Sequence, residues 1–383
     1  MKSSAPSKRS PLWMAAFAAP PFIVMGVTLI VALWGGELYR IDDVSKLQDN
    51  SRSPTLFGSA YSTQDAPYKL KRIEQECANV LTLGSSRILD TRREFIDPNL
   101  SFFNGGRIAS DIWVSRQALQ KLPPGCLPDY IILGLDQYSF NSQYTEYIPE
   151  NITPEIISSK FDQEEQGLNR FTSIWPSILA DLFKGKVRLI DPPGPYQCIG
   201  FAAKAHTSGF RNDGSYRYGT IIDVAPEKRS TTKRLAKSFE EIAESEDFFV
   251  HGDSIHQATI DEVAKLLDWC IAHDIKVIAY LPPFAPSVVT EMRKPGGNFS
   301  YLDKLLPAIQ PLFTARQIPL FDFTHFKFST DDEFIDGFHC SERVSAKMLL
   351  EMAGRSLVAG EIVDEAAIEQ LLKNSSDPLV LLP

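Results

Sequence analysis

The chain has 383 residues, with 39 Lys and Arg against 48 Asp and Glu and a formal net charge of -9. That length suits one large α/β domain with insertions, or two smaller domains. No long basic run follows the first residues, which argues against a nucleic-acid partner.

Lys2, Lys8 and Arg9 precede an uncharged segment from Pro11 to Gly36, rich in Leu, Ile, Val, Phe and Trp. A membrane helix needs about 20 apolar residues, so this segment is long enough to span. Pro20 and Pro21 are tolerable in lipid. A cleaved signal peptide has a shorter apolar core and a small-residue cleavage site, and no such pattern follows Trp34. Basic residues stand before the span, and Glu37, Asp42 and Asp43 stand after it. The positive-inside rule then predicts a single-pass inner-membrane anchor over 1–36, with a cytoplasmic N-terminus and an extracytoplasmic main domain. Residues 37–72 are polar and turn-rich over most of their length and read as a linker without strong periodicity.

From residue 73 short apolar strands alternate with helical stretches, the pattern of a parallel sheet with crossover helices. Strands are expected at Asn79–Leu83, Leu100–Phe103, Tyr130–Gly134, Lys276–Leu281 and Pro319–Phe323. Cys77 and Cys126 each lie just before one of these strands. If the two strands are parallel neighbours, the pair can form a disulfide in an oxidising compartment. Two free buried thiols are the alternative. The stretch from about 141 to 250 breaks the alternation and reads as an insertion or cap over the sheet's active edge. In "QATIDEVAKLLDWCIAHD", Ile260, Val263, Leu267, Cys270 and Ile271 recur at helical spacing. A later helix is expected from Ser341, its cap, with Val344, Met348 and Met352 on one face. The domain is drawn to residue 360, with 361–383 as a C-terminal tail.

Two distant motifs carry the chemistry. "VLTLGSSRILD" ends an apolar strand in Gly84-Ser85-Ser86, and "DGFHCSE" places Asp336 two residues before His339. A serine nucleophile needs a neutral imidazole to take its proton, and that imidazole needs a carboxylate to fix its tautomer. One Asp-x-x-His loop can supply both. His325, after the last strand, is a competing base. Arg87 is a candidate for binding an anionic substrate group or for a salt bridge.

The layout resembles the SGNH/GDSL hydrolase superfamily. "LGSSR" stands at its first block, with Ser86 at the nucleophile position; "FFNGG" at the second; "LGLDQYSFN" at the third; and "DGFHCSE" at the last. "VIAYLPPF" resembles the family's fourth strand. The resemblance implies a three-layer α/β sandwich with a five-stranded parallel sheet. It also implies a Ser86–His339–Asp336 triad and an oxyanion hole of the Ser86 and Gly105 amides, with Gly106 as the alternative to Gly105. Asp136 stands where the family places an Asn donor, and a carboxylate there repels developing negative charge. Gln137 and Asn141 are the replacement donors. The implied activity is an acyl esterase or O-acyltransferase acting on an envelope polysaccharide, of the kind found in exopolysaccharide O-acetylation and teichoic acid D-alanylation. A membrane-bound acyltransferase is the implied partner. A catalytically inactive scaffold or polysaccharide-binding subunit is the alternative. No cofactor and no metal is expected. "HGDSIH" has its histidines five apart, a poor spacing for two ligands on one helix. Tyr216, Arg217 and Tyr218 are candidate sugar-stacking residues.

Overall fold

A computed structural model of the chain describes residues 11–50, 53–61, 64–108, 112–144, 168–295 and 298–382. Its strands are β1 (Thr55–Phe57), β2 (Val80–Leu83), β3 (Phe102–Asn104), β4 (Tyr130–Gly134), β5 (Gln197–Ile199), β6 (Gly209–Phe210), β7 (Tyr216–Arg217), β8 (Lys276–Leu281) and β9 (Leu320–Asp322). The helices used below are α1 (Pro11–Gly35), α2 (Ile41–Asn50), α3 (Asp65–Glu76), α4 (Ile112–Lys121), α5 (Leu168–Phe183), α6 (Thr231–Glu244), α7 (Gln257–Ala272), α8 (Tyr301–Thr314), α9 (Glu342–Ala353) and α10 (Glu365–Asn374).

Five strands form one all-parallel sheet in the order β3-β2-β4-β8-β9. Successive strand residues point to opposite faces, so a sheet covered on both sides must be apolar throughout. Val80, Ile132, Ile278 and Tyr280 join one core cluster with Val344, Met348 and Ile368. Leu81, Leu83, Ile131, Leu133, Val277 and Ala279 join the other, with Ile73, Ala118, Val263 and Ile309. Helices α9 and α10 therefore cover one face, and α3, α4, α7 and α8 the other.

Helix α7 buries Val263, Leu266, Leu267 and Cys270. Ile271, expected on that face, is exposed, because Leu266 takes the inward position. Helix α9 starts as its sequence predicts. The Ser341 hydroxyl accepts from Val344 N–H, and Val344, Met348 and Met352 are buried.

Two boundaries change. The 37–72 linker contains α2, β1 and the start of α3, and Val44, Leu56, Phe57 and Tyr68 are buried in it. The polar look of this segment hid a few apolar anchors spaced too widely for a periodicity test. Strand β1 also seeds a second sheet, β5-β1-β6-β7, whose other strands come from the insertion. Lys69 ties this sheet to the first: its buried ammonium donates to Asn104 O at 2.7 Å and to Gly214 O. The 361–383 tail is likewise part of the domain. Leu379 and Leu381 are buried, and Leu381 N–H donates to Glu342 at 3.0 Å.

Helix α1 covers the expected anchor segment, but its last turns pack on α5 through Val31, Ala32, Phe171, Ile174 and Ile178. Among the described residues no helix is long and apolar enough to cross a membrane.

Cys77 and Cys126 form a disulfide at the N-terminal edge of the paired strands β2 and β4, 49 residues apart in sequence. Closing a loop of that size restricts the unfolded chain. Cys77→Ser is therefore expected to lower unfolding free energy by about 2–4 kcal/mol, measured by urea denaturation under non-reducing conditions. Reduction of the wild type should reproduce the loss.

Candidate active site

The strand order reverses direction between β2 and β4, which leaves a crevice outside their carboxyl ends. Open parallel sheets place ligands there. Each expected motif leaves a strand at this edge: Ser86 after β2, Gly105 after β3, Asp136 after β4, Pro282 after β8, and Asp336 with His339 after β9.

Gly84 makes the turn possible. Its φ is +154°, and a Cβ there would lie 3.0 Å from Gly134 O and 3.3 Å from Ile88 Cδ1. A side chain there would be strained by this φ and would need Gly134 O and Ile88 to give by a few tenths of an ångström. Ser85 then caps the short turn that follows, its hydroxyl accepting from Arg87 N–H at 3.2 Å and hydrogen-bonding the Asp136 carboxylate. This leaves Ser86 half-buried at the first position of the turn.

Ser86 Oγ lies 2.8 Å from His339 Nε2. His339 Nδ1 lies 2.8 Å from Asp336 Oδ2. The other carboxylate oxygen of Asp336 accepts from Phe338 N–H at 2.8 Å and His339 N–H at 2.7 Å. Asp336 is thus fixed by its own loop before it orients the imidazole. Burial pushes its carboxyl up, but the His339 ring and these two amides outweigh burial and hold it below the usual value. Its stabilising contribution is therefore present above the unfolded carboxyl value of about 3.9 and is lost only as pH falls through the lower folded value. His325 is exposed, and it is His339 that reaches Ser86.

The expected oxyanion donors fare differently. Gly105 N–H donates to Thr82 O at 3.0 Å, and Gly106 N–H to Asn104 Oδ1 at 2.9 Å. Both amides are spent inside the protein, because β3 continues its pairing one residue further and Asn104 folds its side chain under the turn. Gln137 donates to Pro282 O at 2.7 Å and Thr324 Oγ1 at 2.9 Å. Asn141 donates to Val250 O at 2.8 Å and anchors the insertion. Neither replaces the missing donor. Ser86 N–H has no acceptor among the described residues and is the amide free to meet an oxyanion.

Arg87 is not a substrate cation. Its side chain is fully buried, and its N–H groups reach Phe338 O at 3.1 Å, Gln137 Oε1 at 2.6 Å, Asp136 Oδ1 at 3.5 Å, Pro282 O at 3.1 Å and Pro283 O at 2.7 Å. Phe284 and Phe338 flank it, with the guanidinium carbon 4.1 and 4.4 Å from their ring centres. Asp136 is turned toward this cation, Ser85 and Tyr138. Burial raises its carboxyl, with Arg87 pulling the other way. Its charge is therefore directed into the protein.

One neighbour escaped the sequence reading, and a second entered it only as a candidate sugar-stacking residue. Asn104 holds the turn after Ser86 by donating to Ile88 O and Thr91 O, both at 2.9 Å. An Asn directly before two glycines was the signal for it. Tyr218 stands beside the base, its ring centre 6.0 Å from that of His339. His251 and His256 do not converge: His251 bonds Ile242 O and Asn298, and His256 bonds Thr259. No group of three or more potential metal ligands occurs among the described residues.

No protein-family model matches the chain, and no curated protein sequence matches it.

Breaking a buried cation away from its partners typically costs about 3–5 kcal/mol. Arg87→Met is expected to lose a large part of that, read by urea denaturation. Arg87→Lys should recover little, because one ammonium cannot reach carbonyls on three loops.

Proposed function

We propose that the chain is a serine-dependent acyl esterase or O-acyltransferase. The hydrogen-bonded line Ser86–His339–Asp336 carries this reading. Ser86 Oγ attacks an acyl carbonyl carbon, and its proton passes to His339 Nε2. Asp336 stabilises the imidazolium and keeps Nδ1 protonated. The tetrahedral oxyanion faces the Ser86 amide. Its collapse breaks the ester bond, and the leaving oxygen takes the proton from His339. Water or a sugar hydroxyl then attacks the acyl-Ser86 ester and gives its proton to His339, which passes it to Ser86 Oγ as the acyl–oxygen bond breaks. The chemistry needs no metal or cofactor.

The resemblance to the SGNH/GDSL superfamily supports the same roles for Ser86, Asp336 and His339. It points to a small acyl group and an envelope or exported polysaccharide, with a membrane-bound acyltransferase as acyl supplier. From the length of the uncharged run 11–36 and the basic residues before it, rather than from α1 as described, we read this segment as an inner-membrane anchor, with the folded domain extracytoplasmic. Exposed Phe22, Ile23, Ile30 and Trp34 on α1, each at least 62% accessible, support a lipid or membrane-protein environment there. The Cys77–Cys126 disulfide fits an oxidising compartment.

One observation favours a second reading, a catalytically silent scaffold that holds a polymer or a synthase subunit. The Gly105 and Gly106 amides are both engaged. Losing one oxyanion donor typically costs about 10²–10³ in kcat, so slow turnover is expected even of the enzyme.

A serine-directed phosphonate should label the wild type at Ser86 and fail on Ser86→Ala. Asp336→Asn should keep the fold and reduce turnover of 4-nitrophenyl acetate by roughly 10³–10⁴, since the imidazole loses its oriented tautomer. An unlabelled wild type, together with Ser86→Ala restoring a deletion strain fully, would establish the scaffold instead.

A further inference from the structure

The second sheet leaves a cleft of about 270 Å³, lined by Phe57, Tyr61, Gln64, Asp65, Arg107 and Tyr216. Its position relative to Ser86 is set by two chains of contacts. Arg107 N–H donates to Gly84 O at 3.1 Å and Ser85 O at 3.3 Å, so this residue is bonded to the nucleophile's own loop. Tyr216 N–H donates to Leu89 O at 3.1 Å, at the end of the turn that Ser86 begins. Aromatic rings continue the path: Tyr216 to Tyr218 is 4.9 Å between centres, and Tyr218 to His339 is 6.0 Å. The cleft and the triad are therefore joined along one wall.

Arg107 is held at φ +66°, a conformation that non-glycine residues rarely adopt. Such backbone persists only where the surroundings enforce it, often beside ligand sites. Its side chain is 37% exposed and pairs with Asp65 at 2.9 Å, whereas that of Arg87 is fully buried. Arg107 is thus a cation joined through its backbone to the Ser86 loop, with a side chain that a ligand can reach. Aromatic walls, a planar charged pair and an amide side chain suit a ring with an apolar face and a rim of hydroxyls. The ion pair is close to neutral overall, which selects for hydroxyls over a strongly anionic ligand.

We propose that this cleft is a sugar-ring subsite that presents the polysaccharide to acyl-Ser86, with Tyr216 as stacking platform and the Arg107–Asp65 pair as hydroxyl clamp. The assignment deepens the acyl-transfer reading above and rests on it for the direction of the chemistry. It also gives β1 a role: Phe57, paired with Phe210, lines the cleft.

The test measures binding without turnover, in full-length Ser86→Ala protein. The probes are O-acetylated hexasaccharides of glucose, galactose and N-acetylglucosamine, titrated by saturation-transfer NMR. At least one probe should bind. Adding Tyr216→Ala should weaken that binding by about tenfold, Arg107→Gln should weaken it similarly, and Tyr216→Phe should preserve it. Thermal melting of each variant checks that the fold is kept. Absence of binding by all three probes, or binding indifferent to both Tyr216→Ala and Arg107→Gln, overturns the subsite. Phosphonate labelling of wild-type Ser86 is scored separately, so a failed cleft and a failed triad give different results.

Discussion

The arrangement of the site depends on one buried cation. Arg87 follows Ser86 directly and uses its whole guanidinium to bind the ends of the neighbouring strands: Asp136 and Gln137 after β4, Pro282 and Pro283 after β8, and Phe338 beside His339. These loops share no secondary structure, and sheet pairing ends before it reaches them. A planar fork with five donors can satisfy several carbonyls at once, and stacking between Phe284 and Phe338 removes it from water. Ser86 and His339 are 253 residues apart, yet each lies next to an atom that Arg87 fixes. The 2.8 Å contact between them follows from that shared strut.

The same strut changes the meaning of Asp136. A carboxylate at the oxyanion position is a liability when it faces the substrate. Here it faces Arg87, Ser85 and Tyr138, and acts as the counter-ion that makes a buried guanidinium tolerable. The electrostatic cost at the oxyanion is thereby reduced, while the number of donors stays low because the Gly105 and Gly106 amides serve β3 and Asn104. The site is well built for nucleophile activation and sparsely built for oxyanion stabilisation.

Much of the main sheet was legible because β2, β4 and β8 are continuous apolar runs buried on both faces, a signal that survives without an alignment. The contact of Ser86 with His339 and Asp336 was legible because Asp336 and His339 sit in one loop and Ser86 at a strand end marked by Gly84. The small second sheet was not. Its strands are two or three residues long and come from segments about 140 residues apart, so no local window contains the pattern. The role of Arg87 was half visible: its charge beside the nucleophile suggested a salt bridge or a ligand contact, and only burial decides between them. The oxyanion donors were misplaced for a related reason. Whether a backbone amide is free depends on where a strand stops pairing, and sequence bounds strand ends poorly.

The central claim is that Ser86 becomes acylated through His339. Intact-mass and peptide spectrometry after brief mixing with 4-nitrophenyl acetate reads this directly. The account predicts an acetyl adduct on the peptide carrying Ser86, absent from Ser86→Ala and strongly reduced in Asp336→Asn. An acetyl adduct confined to other residues, or none on the folded wild type at any mixing time, would contradict it.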